Sequence, residues 1–133
     1  MSLTKNQREA LKTMFGGRCA YCGCELGEKW HADHVEPIYR NFDGRLLNPD
    51  NERTDNYFPA CAPCNLFKST FSVDGFRMEI KAQVERGRKS SVNFRTAERF
   101  GLIQEVQKPV LFWFEQYQEK AGVNQLRQQA KGK

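Results

Sequence analysis

The sequence predicts a small α+β domain in which two short strands and a helix are tied by a bound metal, with one helix before them and a helical extension after. Three observations lead there. Two Cys-x-x-Cys pairs, Cys19–Cys22 and Cys61–Cys64, stand far apart in the chain. Two short stretches of strand character, 29–35 and 57–60, lie between them. Outside these, apolar residues recur at helical spacing.

Thr4 and Gln7 form a capping-box pattern, and Ala10, Leu11, Met14 and Phe15 follow at helical intervals. A helix over about residues 5–15 is expected, ended by Gly16-Gly17. Cys19 to Gly27 reads as a tight turn. Lys29 to Val35, with Trp30, suits a short strand, and Pro37 limits its length. Residues 40–56 are polar and aperiodic, a long connection of the kind that carries function or moves. Tyr57 to Ala60 is a second short strand. Pro63 then sits in the first turn of a helix running to about Thr70. Asp74-Gly75 opens another helix, with Phe76, Ile80 and Val84 on one face and Gly87 near its end. Ser90-Ser91 cap a third, with Phe94 and Ala97 inward and Gly101 as stop. Residues 110–114 are a buried strand or a helix start; periodicity does not decide. Residues 121–133, rich in Gln, Lys and Gly, are expected to form a frayed, disordered tail.

At 133 residues the chain suits a single domain over 1–133. Within it, 15–70 is the metal-tied core and 71–120 the helical extension. No run approaches the ~18 apolar residues of a membrane span. The start is polar, unlike a secretory signal, so an intracellular, cytoplasmic protein without membrane contact is expected. The net charge is +5. Residues 1–70 balance nine Lys/Arg against nine Asp/Glu, and residues 71–133 hold twelve against seven. The basic half is a candidate surface for a polyanion; a solvated rim is the bland alternative.

Five cysteines in an intracellular chain point to metal or reactivity before disulfides. Zinc takes four soft ligands in closed structural sites, with sulfur at ~2.3 Å. Two Cys-x-x-Cys turns supply that shell, so Cys19, Cys22, Cys61 and Cys64 are the expected ligands of a structural zinc. Cys24 is left as a bystander. A redox pair would want a βαβ context, and buried free cysteines would not explain the doubled spacing.

Between the pairs lies Asp33-His34. Side chains alternate along a strand, so both face one site only if the chain bends. Asp33 offers a hard oxygen to Mg²⁺ or a similar ion. A histidine can take a proton from water near neutral pH. Asn65 offers an amide oxygen to the same ion. Lys68, three residues on, shares its helix face and is suited to hold a phosphate. Each has a plainer reading: a surface hydrogen bond for Asp33-His34, a helix cap for Asn65, a solvated residue for Lys68.

Cys19-x-x-Cys22, then Ala32-Asp33-His34-Val35-x-Pro37, then Asn56-Tyr57-x-Pro59-x-Cys61-x-x-Cys64-Asn65-x-x-Lys68-Ser69 resembles the HNH endonucleases of the zinc-bound ββα-metal kind. The resemblance covers roughly residues 15–70. It implies Asp33 and Asn65 as ligands of a catalytic divalent cation and His34 as general base. It implies that Asn56 is the central Asn, orienting His34 through the backbone. Many members carry His where Asn65 stands, which makes this an HNN version. His31 is read as a packing residue. The implied activity is hydrolysis of DNA phosphodiester bonds. Water activated by His34 would attack in line, the cation would stabilise the leaving 3′ oxygen, and the products would carry 5′-phosphate and 3′-hydroxyl. One such unit cuts one strand, so a double-strand cut needs a homodimer or two nicks by a monomer. The resemblance places the chain in a bacterium or a phage-infected host.

Between Arg77 and Arg99 stand seven Lys/Arg against three Glu, a candidate contact for DNA backbone. Two other readings stay open: a non-catalytic zinc-stabilised DNA-binding module, and a zinc-organised protein-interaction module.

Overall fold

The structure, a computed structural model, describes residues 3–38, 43, 45 and 49–118. The expected tail at 121–133 and much of the 40–56 connection lie outside the described residues. The fold is α+β, with α1 (Lys5–Lys12), β1 (His31–His34), a 3₁₀ turn (Pro49–Asn51), β2 (Tyr57–Ala60), α2 (Ala62–Lys68), α3 (Val73–Lys81), α4 (Gln83–Ser90) and α5 (Val92–Arg99). Residues 113–118 are also helical. The chain forms two compact units, Met1–Ser72 with Leu111–Lys133, and Val73–Val110. The helical extension expected over 71–120 is therefore divided between them.

In the first unit the capping box forms at both ends: Gln7 N donates to Thr4 Oγ1 and Thr4 N to Gln7 Oε1. The helix ends at Lys12, earlier than its apolar spacing suggests. The Thr13 hydroxyl there turns back to the carbonyls of Glu9 and Ala10, a local competitor of the helical ladder. Gly16 and Gly17 follow at φ +74° and +76°, the left-handed region that favours glycine.

β1 and β2 form an antiparallel pair, His31 opposite Ala60 and His34 opposite Tyr57. Leu11, Trp30 and Tyr57 form a buried cluster at this hairpin. Asp33 and Phe58 share the other face by alternation. There Phe58 meets the rings of Phe15, Tyr21 and Phe114. The last of these comes from the far end of the chain. Residues 112–114 form no strand; Trp113 N and Phe114 N donate to the carbonyls of Tyr21 and Ala20, and Phe112 is buried against Tyr21.

In the second unit the single helix expected from Asp74 is two helices. The chain unwinds at Ala82 (φ −81°, ψ −7°), where the Gln83 side chain takes the Glu79 carbonyl at 2.8 Å. Gly87 is no terminator. It lies inside α4, where a Cβ would stand 3.1 Å from the Phe94 ring, so its bareness lets α5 approach. Ser91 caps α5 by accepting from Phe94 N, and Gly101 at φ +75° ends it.

Gly87→Val is expected to destabilise this unit by about 1–3 kcal/mol through overpacking. Amide exchange in α4 and α5 should quicken while that of β1 and β2 holds. Unchanged protection in α4 and α5 would show that Phe94 simply moves aside.

Candidate functional site

The knuckle before β1 is built by backbone bonds. Gly23 N donates to Cys19 O and Cys19 N to Cys24 O, with Gly23 at φ +80°. Ala20 N donates to Pro59 O at 2.8 Å, which fixes the knuckle to β2. Cys61 is the N-cap of α2 and Cys64 lies in its first turn, where partial positive charge favours thiolates. The two pairs thus meet: the sulfurs of Cys19, Cys22, Cys61 and Cys64 all lie within 4.8 Å of one another. Four sulfurs at ~2.3 Å from one centre sit about 3.8 Å apart, and Cys22 and Cys61 are separated by 3.7 Å. This cluster could hold a metal ion such as zinc. The Cys64 thiol lowers its neighbour Cys19 to about 4, and the same bond raises Cys64. Cys24 is exposed and outside the four.

β1 and α2 meet beside the knuckle. Asn65 Nδ2 donates to His31 Nδ1 at 2.7 Å. One helical turn on, Lys68 lies 3.2 Å from Asp33 Oδ2 and donates to His34 O at 2.8 Å. Residues i, i+3 on the helix thus match i, i+2 on the strand. Lys68 is fully buried and Asp33 nearly so, at 0% and 3% exposure. The Tyr21 hydroxyl donates to Asp33 Oδ2. Burial pushes the Asp33 carboxyl above the usual carboxylate range, while Lys68 and Tyr21 pull it down. The same burial, with the Asp33 charge beside it, raises Tyr21.

His34 belongs to the opposite face. Its ring lies 4.6 Å from that of Tyr57, and its Nε2 donates to Glu52 Oε1 at 3.2 Å. Asn56 holds the chain just beyond: its Oδ1 accepts from Glu36 N and its Nδ2 donates to Glu36 O, both at 2.9 Å. Val35 N donates to Asn56 O. The Asn56 side chain therefore fixes the backbone at Glu36, two residues beyond His34.

The structure does not bring all the expected residues to one point. The strand keeps its ladder through His34, so Asp33 and His34 leave on opposite faces instead of converging at a bend. Asp33 is engaged by Tyr21 and Lys68, so it is not an open oxygen ligand, while Asn65 gives its Nδ2 to His31. Among the described residues the cysteines are the one group assembled for a metal. Lys68 is buried and spans β1 and α2, so it is not an exposed phosphate contact. Burial follows from the second Cys pair, which draws the first turn of α2 against the knuckle and leaves its Lys facing β1. His31, read as packing, is the partner of Asn65. Tyr21 and Glu52 carried no motif signal. Tyr21 sits between the first two cysteines, a position that a Cys-x-x-Cys turn aims toward the strand. Glu52 becomes visible only when the connection folds back.

In the second unit the basic residues are largely occupied. Arg86 pairs with Glu79, and Arg88 with Glu85, Glu98 and Glu105. Arg77 donates to Val110 O, and Arg95 to the carbonyls of Arg88 and Lys89. All three glutamates between Arg77 and Arg99 are thus paired, and Arg77, Arg86, Arg88 and Arg95 have part of their donor capacity engaged within the chain.

Removing one partner of the buried pair should be costly. Lys68→Met is expected to lose about 3–5 kcal/mol, because Asp33 stays buried without its counter-charge. Adding Asp33→Asn should recover part of that loss in urea unfolding; strictly additive losses would show that the pair is not coupled. Metal analysis should find about one equivalent of zinc in the purified chain. Cys61→Ser should lose it, at a cost of ~10 kcal/mol or more in coupled folding, whereas Cys24→Ser should keep it. Zinc loss in Cys24→Ser beside retention in Cys22→Ser would overturn the ligand set.

No described helix is long and apolar enough to cross a membrane. Comparison of the chain with protein-family models, with curated proteins and with solved structures gives no match.

Proposed function

We propose that the chain is an endonuclease of the HNH kind that hydrolyses DNA phosphodiester bonds, with a structural zinc on Cys19, Cys22, Cys61 and Cys64. The observation that carries this reading is the fixation of His34. It ends β1, its side chain is 25% exposed, and side chains hold the backbone at its carbonyl and two residues beyond. Lys68 of α2 binds its carbonyl, and Asn56 binds the peptide groups of Glu36, two residues on. A surface histidine with no task has no need of two buried clamps. Zinc would hold the N-terminus of α2 to the knuckle and so keep the Lys68 clamp in register.

On this reading the His34 imidazole takes a proton from water, and the resulting nucleophile attacks phosphorus as the bond to the 3′ oxygen breaks. Holding base and water at fixed geometry accounts for part of the rate. The expected cation ligand Asp33 is engaged by Tyr21 and Lys68, so no step is assigned to Mg²⁺ here. Its effect is an experimental variable.

The engagement of Asp33 favours a second reading, a zinc-stabilised DNA-binding module without catalysis. The internal pairing of the basic residues in α3 to α5 counts against its using that surface. Supercoiled plasmid separates the two. The zinc-loaded chain should nick it, with and without added Mg²⁺ or Mn²⁺ compared. His34→Ala at equal zinc content should be slower by on the order of 10²–10⁴-fold with DNA binding retained. Equal nicking by the variant removes His34 as base; binding without nicking by the wild type selects the second reading.

A further inference from the structure

The geometry points to Glu52 as a positioning residue that holds His34 in one tautomer, with Nε2 protonated and Nδ1 left as the basic nitrogen. This rests on the reading of His34 as general base and goes further, naming which nitrogen takes the proton and what sets it. A carboxylate oxygen only accepts, so the 3.2 Å contact from His34 Nε2 to Glu52 Oε1 requires the proton on Nε2. Among the described residues nothing meets Nδ1. The neutral ring therefore presents a lone pair there and a donor to Glu52.

Glu52 is itself held. Its backbone N–H closes the 3₁₀ turn by donating to Pro49 O. The Tyr57 hydroxyl donates to the same Oε1 at 2.5 Å. Tyr57 stands directly across the ladder from His34, and its ring packs on the imidazole. One residue thus supports the ring and fixes the carboxylate that orients it. The Glu52 side chain is only 12% exposed, so water competes little for the bond. Its carboxyl is held below the usual range, first by the Tyr57 hydroxyl, so it stays an acceptor. When the imidazole gains a proton, the same carboxylate faces the cation. This is the arrangement by which a third group orients a base in other hydrolytic sites, where losing it fixes the wrong tautomer.

The chain has two histidines, so long-range ¹H–¹⁵N correlation spectra of the zinc-loaded protein, with His34→Gln for assignment, read the tautomer directly. Wild type should show Nε2–H at His34. Glu52→Gln should give a mixture of tautomers, and its plasmid-nicking kcat should fall about 10–10³-fold with KM nearly unchanged, by analogy with base-orienting carboxylates. Tyr57→Phe, which leaves the carboxylate in place, should shift both in the same direction by less, and it replaces Glu52→Gln if that variant loses zinc. An Nδ1–H ring in wild type, or an unchanged tautomer in both variants, overturns the proposal. So does a changed tautomer with unaltered kcat while His34→Ala is slow. If His34→Ala nicks normally, the base assignment fails instead, and the spectra still decide whether Glu52 sets the ring.

Discussion

One buried contact joins the three parts of the first unit. At Asp33 the knuckle arrives through Tyr21, the strand supplies the carboxylate, and α2 arrives through Lys68. An ammonium with no exposed surface has to be paired and hydrogen-bonded or it is expelled. Here it has Asp33 and the His34 carbonyl. A salt bridge of this kind is a poor source of net stability, but it is intolerant of misregister. A shift of β1 by one residue would put Asp33 on the other face and leave Lys68 facing an alanine or a histidine. The contact therefore selects one register of strand against helix, and His34 inherits its place from that choice.

The cysteine cluster and this contact work on the same helix at different turns. Cys61 and Cys64 fix the N-terminus of α2, while Lys68 fixes its last turn. A helix of seven residues has little stability of its own. Tied at both ends, it is a rigid brace behind β1. The hairpin, with four residues per strand, is in the same position: too short to stand alone, it is held by aromatic packing on one face and the Leu11–Trp30–Tyr57 cluster on the other.

Much of this is legible in the sequence. The capping box of α1, both strands, the start of α2 and the cluster of four cysteines follow from local rules, because caps, turns and paired Cys-x-x-Cys units act over a few residues. What was misread depends on distant parts of the chain. Nothing near Ala82 announces a break, since it is made by the Gln83 side chain reaching Glu79. Gly87 falls near an expected helix end, and only the Phe94 ring shows that it is a contact. Lys68 reads as a phosphate contact because its spacing puts it on a helix face without saying what that face meets. The ladder through Asp33 and His34 could not be foreseen from Pro37, which lies beyond the last pair and leaves the alternation intact.

That alternation divides the hairpin between two kinds of work. The face of Asp33 is dry, aromatic and crossed by a buried ion pair, a setting that favours fixed geometry. The face of His34 carries a partly exposed imidazole, a largely buried carboxylate and a buried phenol, joined by hydrogen bonds. The two faces share a backbone, so one side can position the other without contributing an atom to it: Lys68 holds the His34 carbonyl from one face while Glu52 holds the ring from the other. A histidine so placed has its main chain and its imidazole fixed by independent sets of residues. Loosening one set should displace the ring without changing its tautomer. Loosening the other should change the tautomer without displacing the chain.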